Sequence, residues 1–112
     1  MKTKITLLLF LVAAISTTYA QKVYSVDQAY QADVKVFVTD QAYQADLLVY
    51  KVDQNYQAKG NEGKWFFTDQ AYQADKKVFF VDQSYQADLK IYFVDQNYQS
   101  KWKENSKKHL MY

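Results

Sequence analysis

Val78-Phe79-Phe80-Val81-Asp82-Gln83-Ser84-Tyr85-Gln86-Ala87-Asp88-Leu89-Lys90 is one full period of this chain, and closely similar wording recurs along nearly all of it. The centre of the period, Asp-Gln-x-Tyr-Gln, occurs six times, beginning at Asp27, Asp40, Asp53, Asp69, Asp82 and Asp95. The spacing is 13 residues and stretches to 16 once, across Lys59-Gly60-Asn61-Glu62-Gly63-Lys64, which holds both glycines.

Each copy opens with four residues that, Ser25 and Lys51 apart, are all branched or aromatic: Val23–Val26, Val36–Thr39, Val49–Val52, Trp65–Thr68, Val78–Val81 and Ile91–Val94. Such residues suit a pleated strand. Successive strand side chains point to opposite faces. The second position is always aromatic (Tyr24, Phe37, Tyr50, Phe66, Phe79, Tyr92) and the fourth is Val or Thr, so this face is expected to be buried. The third position runs Ser25, Val38, Lys51, Phe67, Phe80, Phe93, which predicts deeper burial in the last three strands. The Asp that follows each strand is expected to accept hydrogen bonds from the next backbone N–H groups and start a single helical turn. The motif tyrosines (Tyr30, Tyr43, Tyr56, Tyr72, Tyr85, Tyr98) are then expected to fold back over the sheet as core.

The copies group as three plus three. Only copies three and six carry Asn at the x position (Asn55, Asn97) and Lys (Lys59, Lys101) where the others carry a second aspartate (Asp33, Asp46, Asp75, Asp88). The pattern predicts an all-β, β-rich domain with single helical turns, its six 13-residue strand-turn repeats arranged as two pseudo-twofold halves joined by the glycine loop. Twelve aromatic residues from the strands and turns cannot alone offset the entropy of ordering such a chain, so neither half is expected to stand alone.

Residues 1–20 read as a secretory signal: Lys2 and Lys4 precede an apolar run from Ile5 to Ile15, and Thr18-Tyr19-Ala20 ends in residues a signal peptidase accepts. The mature protein is then one domain over 21–112, periplasmic or extracellular, with no transmembrane segment once the signal is removed. The absence of cysteine excludes a disulfide framework and thiolate metal sites. Beyond the signal, twelve lysines balance ten aspartates and two glutamates, and there is no arginine, which argues against a nucleic-acid partner.

Candidate chemistry is sparse. Asp27 and Asp33, with their equivalents, place carboxylates six residues apart around a turn, but the motif lacks the glycine and the Asp/Asn ladder of a calcium loop. A glycosidase needs two carboxylates in unlike environments, which near-identical turns do not offer. His109 is the single histidine, with no evident acid partner, so neither serine catalysis nor a zinc site is expected. No catalytic residue, cofactor or metal is therefore expected. Tyrosines, glutamines and aspartates in register would form a sugar-binding surface if their rings were exposed in a row. Partner contacts usually lie where a rigid scaffold carries irregular loops. That points to the glycine loop and the tail, with Lys59, Asn61, Glu62, Lys64, Trp102 and His109 as a partner surface.

The recurring strand, Val-Asp, Tyr, Gln-Ala-Asp-Leu-Lys wording, Lys64-Trp65-Phe66-Phe67 after the glycine insertion, and the ending Ser106-Lys107-Lys108-His109-Leu110-Met111-Tyr112 resemble the septoil-knot family of bacterial proteins over residues 22–112. The resemblance implies a small β-rich fold, deeply knotted as a seven-crossing torus knot, with no assigned biochemical activity. It also implies slow unfolding, since a knotted chain must unthread to open. The expectation is a non-enzymatic, exported, monomeric structural or interaction module of high kinetic stability. Its partner is an envelope protein or polysaccharide, and the other reading is a carbohydrate-binding module at the cell envelope.

Overall fold

The structure, a computed structural model, describes residues 21–112; the signal read at 1–20 lies outside them. Each copy forms one strand and one 3-10 turn. The strands are β1 (Lys22–Ser25), β2 (Val34–Val38), β3 (Leu47–Lys51), β4 (Lys64–Phe67), β5 (Lys76–Phe80), β6 (Leu89–Phe93) and the short β7 (Lys101–Trp102). The motif turns are Ala29–Gln31, Ala42–Gln44, Asn55–Gln57, Ala71–Gln73, Ser84–Gln86 and Asn97–Gln99, and a longer 3-10 segment, Asn105–Met111, closes the chain. None of these helical segments is long and apolar enough to cross a membrane.

Six strands pair in parallel in the order β4-β1-β5-β2-β6-β3, and β3 pairs β4 to close a six-stranded barrel. Going round in that order, the chain advances two places at every step except β3 to β4, where it advances one. It therefore reaches β6 after one and a half circuits. The second half fills the gaps left by the first, which is the interleaved winding expected of a torus knot. Every strand pair, including the antiparallel β3–β7 pair, joins one half to the other.

Parallel neighbours ordinarily require a crossover of a dozen or more residues. Here the connections within each half have eight, and the register explains how. Ser25 at the end of β1 and Val34 at the start of β2 both lie opposite Val78 of β5. The connection has only to pass over one strand, about 10 Å at two strand spacings. Likewise Val38 and Leu47 both face Ile91, Phe67 and Lys76 both face Val23, and Phe80 and Leu89 both face Val36. Each strand is staggered by two residues on its neighbour, a stagger that tilts strands steeply in a small closed barrel. The turns lie on the strands they cross: Ala29–Gln31 on β5, Ala42–Gln44 on β6, Asn55–Gln57 on β4, Ser84–Gln86 on β2 and Asn97–Gln99 on β3.

The stagger places first-position residues in one central layer. Val23, Val36, Val49, Trp65, Val78 and Ile91 are all fully buried, with Val34, Leu47 and Leu89 buried in the layer below. At the upper mouth the third positions alternate between the halves. Phe67, Phe80 and Phe93 are half-buried and pack together, with Phe67 6.4 Å from each of the other rings. Ser25, Val38 and Lys51 stand between them, exposed, and the Lys51 ammonium lies 4.5 Å from the Phe93 ring centre. The third position does deepen in the second half, as the sequence suggests. At the lower end the tail closes the barrel: Met111 is buried, and Gln21 Nε2 donates to its carbonyl at 2.8 Å.

The expected inner face is corrected. The second-position aromatics point outward and are half-buried beneath the crossing turns, while the first position forms the core. The central layer of the interior takes five branched aliphatics and Trp65, while the second-position rings find their cover outside.

The two aspartates of each period also have different roles from those expected. The first makes no capping bond: the turns carry Gln at the N-cap, and no side-chain hydrogen bond or ion pair forms at Asp27, Asp40, Asp53, Asp69, Asp82 or Asp95. The second clamps the strand its connection has just crossed. Asp33 N–H donates to the Lys77 carbonyl at 2.7 Å, and its Oδ2 accepts from Lys77 N–H at 2.9 Å. Asp46, Asp75 and Asp88 grip Lys90, Lys22 and Lys35 in the same way. A charged acceptor bound to a backbone N–H contributes about 1.5–3 kcal/mol. In copies three and six the chain leaves the regular path, into the glycine loop and into the tail, and there Lys59 and Lys101 replace the clamp.

The glycine loop contains one required glycine. Gly63 has φ +89°, and a Cβ there would collide with the Leu48 carbonyl oxygen. Gly60 has φ +69° but open space around it. Gly63→Ala is expected to cost at least about 3 kcal/mol, from backbone strain plus a clash with main chain that cannot move aside, and Gly60→Ala about 1–2 kcal/mol from strain alone. Denaturant unfolding of the two variants measures the difference; equal losses would contradict it.

Candidate functional site

The motif residues that the fold does not use lie on the surface. Tyr30, Tyr43, Tyr56, Tyr72, Tyr85 and Tyr98 are 67–83% exposed, which corrects the expectation that they are core. They fail to fold back because the turn lies flat on the crossed strand. In four copies the x residue of the turn lines one groove with the outward aromatic of that strand, and the tyrosine is left facing solvent. The barrel thus carries a belt of six exposed rings, each three residues after an unpaired carboxylate.

Between the crossing turns the surface folds into grooves built by the same repeat positions. In copy one the groove holds Tyr24 and Val26 of the strand, Asp27, Gln31, Ala71 of the crossing turn and Lys77 of the next strand, and encloses about 440 Å³. In copy five the equivalents are Phe79, Val81, Asp82, Gln86, Ala29 and Lys35, in about 430 Å³. Copy six contributes Tyr92, Val94, Asp95, Gln99 and Ala42, has Leu48 in the place of Lys77 and Lys35, and adds Phe93, Tyr98 and the ammonium of Lys101 to the wall, in about 430 Å³. Copy three contributes Tyr50, Val52, Asp53, Gln57, Asn97 and Lys64, with Tyr56, Lys59 and Glu62 added, in about 470 Å³. Each groove combines an outward aromatic, a valine, an amide, a carboxylate and an ammonium.

Copies two and four differ at one position. Thr39 and Thr68 stand where the other copies have Val, and each hydroxyl donates to the glutamine of its own motif, Gln44 Oε1 and Gln73 Oε1, both at 2.9 Å. The same hydroxyls accept from the backbone N–H of Gln41 and Gln70. The glutamine that lines a groove elsewhere is tied down here by threonine. In copy three Gln57 instead accepts from the N–H groups of Asp53 and Gln54, and in copy six Gln99 accepts from that of Gln96. Val or Thr at the fourth position was visible as an alternation, but only the structure shows what it controls.

The loop and tail residues singled out from the sequence meet at the lower end. Asn61 is buried; its carbonyl accepts from Trp102 Nε1 at 2.8 Å, and its Nδ2 donates to the Lys108 carbonyl. Asn61 and Trp102 thereby fasten the glycine loop to the tail. Glu62 pairs with Lys108 at 3.1 Å, Lys64 donates to Ser100 Oγ, and Lys107 pairs with Asp46 at 3.1 Å. Lys59, Glu62 and Lys64 line the copy-three groove. His109 is exposed, its Nδ1 3.0 Å from the Ser106 carbonyl oxygen, outside these grooves. Among the described residues no group of three or more His, Asp or Glu side chains is placed to hold a metal ion.

The family model of the 7(1) septoil knot domain matches residues 20–103. No curated protein and no solved structure matches the chain.

Proposed function

We propose that this chain, which belongs to the 7(1) septoil knot domain family, is a non-enzymatic, exported binding module: a rigid knotted barrel that presents one surface motif in several copies. The observation that carries the reading is the exposure of all six motif tyrosines. Folding accounts for the buried Val and Ile residues, the half-buried aromatics and the second aspartates. It does not account for six solvent-facing rings beside six carboxylates without partners. Exposed aromatics on a fixed scaffold are a common means of recognition, because a ring offers contact area with little entropy to lose. Several weak copies act together when the ligand reaches more than one. The near-identical copies supply no unequal pair of carboxylates for acid–base catalysis.

Carbohydrate binding at the envelope is the specific form this favours, since tyrosines exposed in register are the feature that separates a sugar-binding surface from a purely structural one. The experiment is co-sedimentation of the mature protein with isolated cell envelopes of its host. Wild type is expected in the pellet, and a variant with all six motif tyrosines changed to Ser, verified as folded by circular dichroism, in the supernatant. Equal partition of the two proteins would overturn the reading.

A further inference from the structure

We infer that the grooves of copies one, three, five and six are equivalent subsites for a neutral, polyhydroxylated polymer, a polysaccharide without charged groups. The inference rests on the binding reading above and assigns its ligand class. Charge comes first. Asp27 and Lys77 balance in one groove, Asp82 and Lys35 in the second and Asp95 and Lys101 in the third; in the fourth, Asp53 and Glu62 balance Lys59 and Lys64. A polyanion or a polycation would meet at least one repelling group in every groove, whereas a neutral ligand meets none.

Hydrogen-bonding capacity comes second. A carboxylate only accepts and an ammonium only donates. The glutamine amide offers its Nε2 donor in every groove and its Oε1 acceptor as well in copies one and five, where no backbone N–H of its own turn holds it. This is the mixture that hydroxyl groups, each donor and acceptor, can satisfy. The aromatic ring and the valine offer an apolar surface to the C–H face of a pyranose. Repetition comes third: like sites around one barrel suit a ligand that repeats, and their joint occupancy raises apparent affinity without any new contact. The grooves of copies three and six, where Tyr56 and Tyr98 join the wall, are the strongest subsites.

Copies two and four supply the means of testing this. Val26→Thr, Val52→Thr, Val81→Thr and Val94→Thr together place in the four grooves the hydroxyl that already ties the glutamine at Thr39 and Thr68. The barrel accommodates that hydroxyl twice, so the fold should survive.

The measurement is a titration of nitrogen-labelled mature protein with neutral hexasaccharides (maltohexaose, cellohexaose and mannohexaose), with hexagalacturonate and chitosan hexamer as charged comparisons. A neutral hexasaccharide is expected to shift the amides of copies one, three, five and six together, and the four-threonine variant to bind it at least about tenfold more weakly, the loss expected when several linked contacts fail at once. No shift with any neutral hexasaccharide, preference for a charged one, or unchanged affinity in a folded variant would each overturn the assignment. Should these fail while envelope co-sedimentation still depends on the tyrosines, the ligand class is wrong and the binding module stands.

Discussion

Residues 21–59 and residues 64–112, prepared as separate chains, are expected to remain unfolded. No strand of either half pairs with another strand of the same half. Within residues 21–59 alone, β1, β2 and β3 would be separated by empty places on the barrel, each with its ladder groups unpaired and its central valine in water. Unpaired strands are not stable in water, and fully buried side chains such as Val23, Val36 and Val49 would each forfeit about 1.5–3 kcal/mol. Circular dichroism and thermal unfolding provide the check: the whole domain gives a sheet signal and a cooperative transition, and each half gives neither. A cooperative transition in one half would mean that pairing between halves is not what holds the fold.

The largest single-residue effect is expected at Trp65. It is the one large aromatic in a central layer otherwise made of valines and Ile91, it is fully buried, and it packs edge-on against Phe67 at 6.1 Å. Trp65→Ala opens a cavity in the middle of the barrel, with no neighbouring chain free to collapse into it, and should cost about 3–5 kcal/mol. Trp65→Phe should cost clearly less. It retains much of the ring volume and also removes an indole N–H that is buried without a hydrogen-bond partner among the described residues, a desolvation penalty of about 1–3 kcal/mol. Denaturant midpoints of the two variants give the comparison, and a Phe variant as unstable as the Ala variant would contradict the assignment.

The strand positions, the single turns and the three-plus-three grouping were legible because strand propensity and motif spacing are local signals. The inner face was not, because alternation alone favours the aromatic side of a strand as the core side. Here the curvature of a narrow barrel reserves its interior for Val23 and its equivalents, and covers Tyr24 and its equivalents from outside with turns contributed by distant copies. The tyrosines were misplaced for the same reason: nothing local states that Ala29–Gln31 will lie flat on β5. Lys59 and Lys101 could be read as departures, but their cause, the chain leaving the regular path into the glycine loop and into β7 and the tail, appears only once the winding is known. Of the loop and tail residues, Lys59, Glu62 and Lys64 come to a groove, and Asn61 and Trp102 are occupied in joining loop to tail. The grooves themselves gave no sequence signal, since each draws residues from copies far apart in the chain.

The central claim is that the repeat divides its labour, with first positions and second aspartates building the barrel and tyrosines left for the surface. Thermal unfolding of the protein with Tyr30, Tyr43, Tyr56, Tyr72, Tyr85 and Tyr98 all changed to Ser tests it most directly. Retention of the sheet signal and of a single cooperative transition, with a loss of no more than about 0.5 kcal/mol per site, is the result this division predicts. Collapse of the fold, or loss of cooperativity, would show that the tyrosines are structural and would remove the basis for a binding belt.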